Sequence, residues 1–456
     1  MEAKLKVIKN RAPDNESSIQ KPVAKIDDQH PGAKKTYEKA VANGFYQRNQ
    51  GGLQGKYDNV RQYWEDQITR YALHDFIEPL AVSKQYDLSR IRILDLGAGT
   101  GEGYEILTSL RKEKDNLASR EIDVLPDEIL GYYKGIDVSQ AMVTEGQRIY
   151  EDNSKVEFIV GDLSKGLNVV NSDHPYDIYF SSYGSLSHLN DSEMQLLITD
   201  ICNHFQDTCI FVVDLVGRYS FEWQPYWNKP GTDETNMRQY SMSYLYPPEM
   251  LDKIETERFP LRYWGSTEID DLVEKIVLDT GCLVSKKQIR DRSVFVGRHM
   301  NTREYNPCAQ PIRGAVNSLF EYNQRTDLKS LIFNYAPHKD YSKLNHFFDT
   351  FQMGWNAVVY AAIEALEHWN DEKWLKKKSS NYYNNIVQQA INTVCNVVRN
   401  VHWFRMGDPR ANVIEPHLGY ILRNLEMDFQ QGLGAGHGLL CIYELKKDKN
   451  KKKKQS

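Results

Sequence analysis

The sequence has few of the features that mark secreted, membrane-spanning or metal-dependent proteins. Its six cysteines are scattered over 456 residues without a Cys-x-x-Cys pair, so we predict neither a disulfide framework nor a metal site. No run approaches the roughly 18–20 apolar residues of a membrane-spanning helix, and the amino terminus carries no apolar signal segment. These absences predict a cytoplasmic protein that does not enter a membrane.

A broadly basic surface is also missing. The net charge is −5 at pH 7 and the pI is about 6.2, whereas binding to nucleic acid depends on lysine and arginine to neutralise phosphates. The basic exception is a lysine-rich tail, residues 446–456, which is typical of a solvated chain end. The composition therefore argues against nucleic acid as a partner.

Composition divides the chain into four segments. Residues 1–34 are polar and contain several prolines, which predicts a disordered arm. Residues 35–300 alternate strand-like and helix-like patterns, whereas residues 301–445 carry apolar residues at helical spacing. We therefore predict an α/β domain, a mostly α-helical carboxyl-terminal region and the lysine-rich tail at residues 446–456.

The most informative stretch is a strand that leads directly into a glycine-rich turn. The apolar run at residues 91–94 continues into Asp95 and then reaches Gly97, Gly99 and Gly101. Glycine lacks the Cβ that would hold a ligand away from the backbone, and it adopts the positive φ of a sharp turn. The pattern predicts a ligand that lies against the main chain.

Three later strand-like runs end in groups that suit the same ligand. Asp137 follows a run at residues 131–136 and offers a carboxylate to a pair of ribose hydroxyls. The next run ends at Gly161 and Asp162, and a fourth opens into a small, polar loop at residues 181–188. Because the carboxyl ends of parallel strands meet at one edge of a sheet, we expect these groups around one crevice.

The order of these motifs resembles the class I S-adenosylmethionine-dependent methyltransferases, over residues 52–300. The resemblance implies a Rossmann-like, seven-stranded, mostly parallel sheet with an antiparallel final strand, and S-adenosyl-L-methionine as the cofactor. In that family the glycine turn holds the amino acid part of the cofactor, and the acid after the second strand holds the ribose. The residue at the position of Asp162 faces the adenine amino group. The resemblance assigns the cofactor to Tyr57, Arg61, Asp95, Gly97, Ala98, Gly99, Gly101, Asp137, Val138, Met142, Gly161, Asp162, Leu163 and Ser181.

The spacing of the motif differs from that of other nucleotide-binding patterns. A nicotinamide dehydrogenase has its third glycine at the sixth position of the motif, but here that glycine is at the fifth position and Asp95 precedes the first. The separation between Gly97 and Asp137 is about twice the roughly 20 positions of a compact unit. An inserted loop at residues 111–128 accounts for the difference.

Further elements are predicted around the crevice. A helix that begins near residue 56 either closes over the cofactor with Tyr57 and Arg61 or packs its aromatic residues on the sheet. Runs at residues 283–289 and 294–299, joined by a tight turn, predict an antiparallel hairpin at the end of the sheet. Glycine-rich residues 432–438 follow a helical pattern and precede a strand, the reverse of a phosphate-binding loop, so we predict a flexible turn or a lid there.

The aromatic-rich segment at residues 217–265 predicts a lobe that binds the methyl acceptor. Its rings either shape a pocket for a planar or cationic substrate or form a small core of their own. The predicted acceptor-binding residues are Tyr219, Trp223, Trp227, Tyr240 and Tyr244. The catalytic candidates are Tyr183 and His188, which would accept or relay a proton; a structural role for His188 stays open, and His437 is a weaker candidate base.

The resemblance and the loop after the fourth strand together predict methyl transfer to a nitrogen or oxygen of a small metabolite. That loop, Ser-Ser-Tyr-Gly at residues 181–184, lacks the Asn/Asp-Pro-Pro-Tyr/Phe sequence of the family members that methylate DNA, RNA or glutamine. Two alternatives stay open: a protein or RNA acceptor recognised through residues 301–445, and a non-catalytic scaffold that binds S-adenosyl-L-methionine. The carboxyl-terminal helices are also candidates for a homo-oligomer interface.

Overall fold

The computed structural model describes residues 29–46, 51–112, 122–228, 237–378 and 384–448, with the backbone alone for residues 29–34. Its strands are β1 (Ile91–Leu96), β2 (Leu130–Asp137), β3 (Val156–Val160), β4 (Ile178–Ser181), β5 (Thr208–Gly217), β6 (Met237–Ser241), β7 (Arg258–Trp264), β8 (Cys282–Arg292) and β9 (Gly438–Lys447). Its helices are α1 (Gln29–Ala42), α2 (Asp66–Tyr86), α3 (Glu102–Thr108), α4 (Gln140–Ile149), α5 (Asp191–His204), α6 (Ser266–Asp279), α7 (Arg313–Ser318), α8 (Ser342–Glu367), α9 (Glu372–Lys378), α10 (Asn385–Asn400) and α11 (Glu415–Phe429). A π-helical turn, Arg61–Glu65, runs directly into α2.

Within the described residues, nine strands form one sheet, and seven of them follow the order β3-β2-β1-β4-β5-β9-β8; β7 pairs with the end of β5 and carries β6. Strands β1 to β5 are parallel to one another, whereas β9 is antiparallel to both β5 and β8. Helices α2, α3 and α4 contribute to the core on one face, and α5 and α6 to the core on the other. The predicted Rossmann-like α/β fold, mostly parallel with one antiparallel strand, is confirmed.

Burial on both faces explains why β1 is apolar at nearly every position. Ile91 and Ile93 pack into the core beneath α2 and α3, whereas Leu94 and Leu96 pack into the core beneath α5. A parallel strand covered by helices on both sides has no solvent face, so its sequence reads as a continuous apolar run. This burial fixes where β1 ends, and therefore where the glycine turn begins.

The predicted hairpin at residues 283–299 is wrong. Strand β8 is continuous from Cys282 to Arg292, and residues 294–299 form turns. The apolar run there packs against the carboxyl-terminal helices: the ring of Phe295 stacks on Phe333 and Phe351, with centroids 4.0 and 4.3 Å away. Its apolar character therefore reflects helix packing, not a strand.

The antiparallel neighbour of β8 is β9, from the far end of the described chain. Strand β9 lies between β5 and β8, pairing with β5 from Thr208↔Lys446 to Val216↔Gly438. The strand predicted at residues 439–445 is therefore present, and residues 446–447 of the predicted tail extend it. A domain boundary at residue 300 leaves out this strand, because residues 293–437 form an insertion between two adjacent strands of the sheet.

Two predicted segments lie partly outside the described residues. Residues 1–28 of the predicted arm are not described, but residues 29–34 belong to α1, whose later residues Tyr37 and Ala40 pack into the core. Residues 113–121 of the predicted inserted loop are also not described; the flanking Arg111 and Asp123 form an ion pair. Residues 29–34, predicted as part of the arm, are therefore helical.

The carboxyl-terminal region is mostly helical, as predicted, and it shares one hydrophobic core with the lobe at residues 217–265. That core joins Trp64 before α2, Trp223 and Tyr240 of the lobe, and Trp355 of α8. The small strands β6 and β7 pair antiparallel within the lobe, and β7 also touches the end of β5. The helical region therefore supports the lobe from behind through this shared core.

None of the helices in the described ranges combines the length and apolar character needed to span a bilayer.

Candidate functional site

A deep cleft lies at the carboxyl edge of the sheet. It contains about 1430 Å³ of empty space, the open mouth included. One end is lined by the turns after β1, β2 and β3, and the other by the lobe, the end of β8 and the residues just before β9. Ten of the residues predicted to hold the cofactor line this cleft: Arg61, Gly97, Ala98, Gly99, Asp137, Val138, Met142, Gly161, Asp162 and Leu163.

The glycine turn after β1 has the backbone shape that its sequence predicts. Gly97, Gly99 and Gly101 all have positive φ, at 75°, 55° and 99°. At Gly97 a Cβ would lie 2.6 Å from the Cβ of Ser185, so the β4 loop can approach only because residue 97 is glycine. The main chain of this turn is therefore exposed directly to the cleft.

Asp137 holds the glycine turn and faces the cleft at the end of β2. Its Oδ2 accepts a hydrogen bond from the Gly99 N–H at 2.9 Å, and its Oδ1 accepts one from the Ser139 N–H at 2.9 Å. Burial raises the pKa of Asp137 to about 6, although these two hydrogen bonds favour the charged form. Each oxygen accepts only one of these hydrogen bonds, so both still have lone pairs for a ligand.

Four other predicted cofactor residues are not among the residues that line the cleft. Asp95 is buried behind the glycine turn, where it accepts a hydrogen bond from Tyr133 and burial raises its pKa to about 8. Gly101 is the last glycine of the turn, and Ser181 is buried at the end of β4. Tyr57 donates its hydroxyl hydrogen to Glu102 Oε1 at 2.7 Å.

The catalytic candidates Tyr183 and His188 both line the cleft, and both have protein partners. The Tyr183 hydroxyl donates to Asp66, and its backbone N–H donates to Asp214 Oδ2 at 2.8 Å. The His188 Nε2 lies 2.9 Å from the hydroxyl of Tyr37. These contacts position the two side chains firmly at the wall of the cleft.

The predicted acceptor residues fall into two groups, those that line the cleft and those that pack in the core of the lobe. Tyr240 and Tyr244 line the cleft. Tyr219, Trp223 and Trp227 are not among its lining residues; both indole N–H groups donate to backbone carbonyls, of Gly217 and of Ser220, at 3.0 Å. Tyr219 packs edge-on against Trp227. These three residues contribute to the core that supports the lobe.

Three titratable groups meet where the lobe contacts the loop before β9. The Glu222 Oε2 lies 2.6 Å from His437 Nδ1, and its Oε1 lies 2.9 Å from His299 Nδ1. Burial alone would raise the pKa of Glu222, but the two histidines hold it well below its usual range. Burial also lowers the pKa of His437.

This cluster is satisfied by hydrogen bonds. One ligand atom from each of Glu222, His299 and His437 lies within 4.8 Å of the others, a spacing that a metal ion could bridge. Glu222 Oε1, however, already accepts the backbone N–H groups of Arg298 and His299 at 3.0 Å each. The arrangement therefore favours a carboxylate that orients two imidazoles, and only His437 of the three lines the cleft.

Several lining residues carried no clear sequence signal. Tyr37 and Tyr46 come from the chain before the predicted helix at residue 56, and Arg292 and Arg298 come from the segment taken for a hairpin. Lys56 forms a largely buried ion pair with Glu102 beside the glycine turn. The loop before β9 had a sequence signal, the unusual glycine-rich run around His437.

No protein-family model matches the chain, and no curated protein matches it. Solved structures similar to it include the magnesium protoporphyrin IX methyltransferase ChlM from Synechocystis PCC 6803 with bound SAH, at 12% identity and a TM-score of 0.33, covering 57% of this chain and 93% of that one. The CcbJ methyltransferase from Streptomyces caelestis has 14% identity and a TM-score of 0.35, covering 59% and 94%. An S-adenosylmethionine-dependent methyltransferase from Clostridium acetobutylicum ATCC 824 has 15% identity and a TM-score of 0.31, covering 50% and 85%. At these values the matches assign no activity to this chain.

Proposed function

We propose that this chain transfers a methyl group from S-adenosyl-L-methionine to a nitrogen or oxygen atom of a small molecule. The observation that carries the proposal is the continuity of the cleft. Groups suited to the cofactor line its end at β1, β2 and β3, and aromatic residues of the lobe line the other end together with Arg292 and Arg298. Two reactants bound in one cleft are held in the proximity that methyl transfer requires.

The residues at the β1–β3 end fit the cofactor. Asp137 presents lone pairs at the end of β2, where a ribose would donate two hydroxyl hydrogens. Glycine at positions 97 and 99 lets the main chain itself form the wall for the amino acid part, and Arg61 lies beside it. Met142 and Leu163 supply apolar contacts for an adenine ring. When bound, S-adenosyl-L-methionine supplies an electrophilic methyl group on a sulfonium.

The lobe end offers a path for the proton that an amine or hydroxyl acceptor must lose. Glu222 holds the Nδ1 side of His437, and Nε2 of His437 lies 3.2 Å from the Tyr240 hydroxyl. We assign the hydrogens so that Nδ1 donates to the carboxylate and Nε2 accepts from the phenol. Tyr240 then takes the acceptor's proton while passing its own to His437, and Glu222 stabilises the imidazolium.

The same geometry leaves Tyr183 and His188 with a positioning role. Their hydrogen bonds to Asp66 and Tyr37 keep the loop after β4 against α1 and α2. A small acceptor suits a cleft that aromatic side chains enclose from two directions. The partly buried Tyr37 and the buried Tyr46 come from the amino-terminal elements, and the buried Tyr240 and Phe259 come from the lobe.

Calorimetric titration with S-adenosyl-L-methionine tests the cofactor site. We expect saturable binding by the wild-type chain and binding weaker by about 1.5–3 kcal/mol in Asp137→Ala, because a charged hydrogen-bond acceptor is lost. Asp270→Ala is the matched control, since Asp270 pairs with Lys287 outside the cleft. Absence of binding by the folded wild-type protein would refute the proposal.

Turnover separates an enzyme from a binding scaffold. The same protein is incubated with S-adenosyl-L-methionine and a panel of small amines, phenols and hydroxy acids, and S-adenosylhomocysteine is measured. Formation of S-adenosylhomocysteine that depends on one acceptor supports methyl transfer. Tight binding without turnover across the panel favours the scaffold instead.

A further inference from the structure

We propose that the acceptor is an organic anion, and that its carboxylate or phosphate binds to Arg292 and Arg298 at the lobe end of the cleft. The inference rests on the proposed function, because it names the substrate class of the same cleft. Both guanidinium groups line the cleft and both side chains are more than nine-tenths buried. Their hydrogen-bond donors are only partly used by the protein.

Arg292, the last residue of β8, is held in place by one of its three nitrogens. Its Nη2 donates to Asp214 Oδ2, and its guanidinium carbon lies 4.5 Å from the centre of the Tyr183 ring. Nε and Nη1 are buried and have no hydrogen-bond partner among the described residues. The group is therefore fixed in orientation while its other donors remain available.

Arg298 shows the same pattern six residues later. Its Nη2 donates to the carbonyl of Lys56 at 3.0 Å, and its guanidinium carbon lies 4.5 Å from the centre of the Tyr244 ring. Nη1 is buried without a hydrogen-bond partner in the described chain. The nearest carboxylate oxygens, on Asp58 and Glu65, are 3.7 and 3.9 Å away, too far for a hydrogen bond.

Those two carboxylates are occupied by another residue. Arg313 is fully buried and binds both oxygens of Asp58 at 2.7 Å and Oε1 of Glu65 at 2.8 Å. Arg298 is therefore close to these two acids without a hydrogen bond to either of them. Buried N–H groups in native proteins almost always have an acceptor, and a planar guanidinium matches the two oxygens of a carboxylate or phosphate.

The backbone of these arginines starts on the far side of β4 from the cofactor end. Arg292 ends β8, which β5 and β9 separate from β4, whereas Asp137 and the glycine turn follow β2 and β1 on the other side. The side chains extend back from there, so that Arg292 contacts the Tyr183 ring and Arg298 donates to the carbonyl of Lys56. Arg61 is predicted to face the methionine part of the cofactor, and the acceptor site proposed here does not include it. The unpartnered nitrogens of Arg292 and Arg298 are hydrogen-bond donors, which an oxyanion can satisfy and a cationic group cannot.

Matched aromatic probes test the charge preference directly. Benzoate, phenyl phosphate, benzamide and benzylamine share a ring that fits a tyrosine-lined cleft and differ in charge. Their dissociation constants are measured by calorimetry in the presence of saturating S-adenosylhomocysteine. We expect benzoate or phenyl phosphate to bind at least ten-fold more tightly than benzamide and benzylamine, and the stronger of the two identifies the oxyanion.

Two substitutions connect the preference to these residues. Arg298→Gln and Arg292→Lys should each weaken the preferred anion at least ten-fold, whereas Arg258→Gln, at an exposed residue paired with Glu304, should leave it unchanged. Arg292→Lys keeps a cation beside Asp214, and thermal denaturation checks that each variant is folded. Equal binding of acids and amides by the wild-type chain, or anion affinity unchanged in both variants, would overturn the proposal.

The affinity for S-adenosylhomocysteine tests a second explanation, in which the two arginines bind the carboxylate of the cofactor and not the acceptor. It should change less than two-fold in both arginine variants. A parallel loss of cofactor affinity would mean that the arginines hold the cofactor carboxylate, which would also overturn the proposal. If the wild-type chain does not bind S-adenosylhomocysteine, the proposed function is refuted. The binding of benzoate and benzamide can then still be compared in the absence of S-adenosylhomocysteine, which tests the anion preference separately.

Discussion

At the scale of single residues, His437 shows how a glycine-rich loop supplies a candidate base to a buried site. Its ring is fixed by Glu222, whose carboxylate also accepts the backbone N–H groups of Arg298 and His299. A carboxylate bound to one imidazole nitrogen sets which nitrogen accepts a proton. The residue that faces Tyr240 is therefore oriented before any ligand binds.

His437→Gln should lower kcat by roughly 10²-fold or more, because glutamine keeps a polar side chain but cannot take up a proton at neutral pH. Steady-state kinetics with the best acceptor measures the effect, and calorimetry should show cofactor affinity within two-fold of wild type. His188→Gln is the matched comparison. A larger loss in His188→Gln than in His437→Gln would place the base in the loop after β4.

The residues found from sequence are those whose role depends on the local backbone. Gly97, Gly99 and Asp137 stand at strand ends, so their place in the cleft follows from the order of strands along the chain. Arg292 and Arg298 could not be assigned in this way, because their exposure to the cleft depends on a helical region far away in sequence. A short apolar run carries no information about which distant element will cover it.

At the scale of elements, the glycine-rich loop before β9 binds a carboxylate of the protein itself. Asp291 Oδ1 accepts the backbone N–H groups of Gly434 and Ala435 at 2.8 and 2.7 Å, and Oδ2 accepts that of Leu433 at 2.7 Å. At Gly436 a Cβ would lie 2.3 Å from the Arg292 carbonyl oxygen. The glycines therefore serve close packing on β8, so the loop is a structural clamp and its resemblance to a nucleotide loop is local.

Asp291→Asn should destabilise the fold by about 2–4 kcal/mol, since an amide nitrogen would face backbone donors that the carboxylate now satisfies. Denaturation by urea measures the change in unfolding free energy. Asp270→Asn, at a partly exposed ion pair with Lys287, should cost less than about 1 kcal/mol. Equal stability of the two variants would show that the loop does not depend on Asp291.

The sequence also identified most of the elements but paired one of them with the wrong partner. A strand at residues 439–445 was predicted, and so was a strand at residues 283–289, yet the two were not predicted to be neighbours. Strand pairing across 145 residues is a contact between distant segments, and neither propensity nor periodicity reports it. The run at residues 294–299 was predicted to pair with residues 283–289 because only a short turn separates the two in sequence.

At the scale of the whole molecule, Glu426 joins the helical region to the sheet. Its carboxylate accepts hydrogen bonds from the indole of Trp64 at 3.1 Å and from the backbone N–H groups of Ser293 and Val294 at 2.8 and 2.9 Å. These partners precede α2 and follow β8. Burial raises the pKa of Glu426 to about 7.

This raised pKa predicts a pH-dependent stability. An unfolded glutamate titrates near 4.3, so the folded chain holds the proton more tightly, and the stability it gives is full below about pH 4.3 and lost as the pH rises to about 7. The unfolding free energy of Glu426→Gln minus that of wild type should therefore increase by about 2–3 kcal/mol from pH 5 to pH 8. Urea titrations across this range measure it. A difference that is constant with pH would contradict the prediction.

The place of β9 between β5 and β8 also sets an order of events during synthesis. Translation delivers β5 and β8 first, and both strands then wait with an unpaired edge while residues 293–437 are made. Open strand edges are templates for pairing with other chains, and chaperones act on chains in this condition. The nascent chain therefore exposes two strand edges until residues 438–447 emerge from the ribosome and close the sheet.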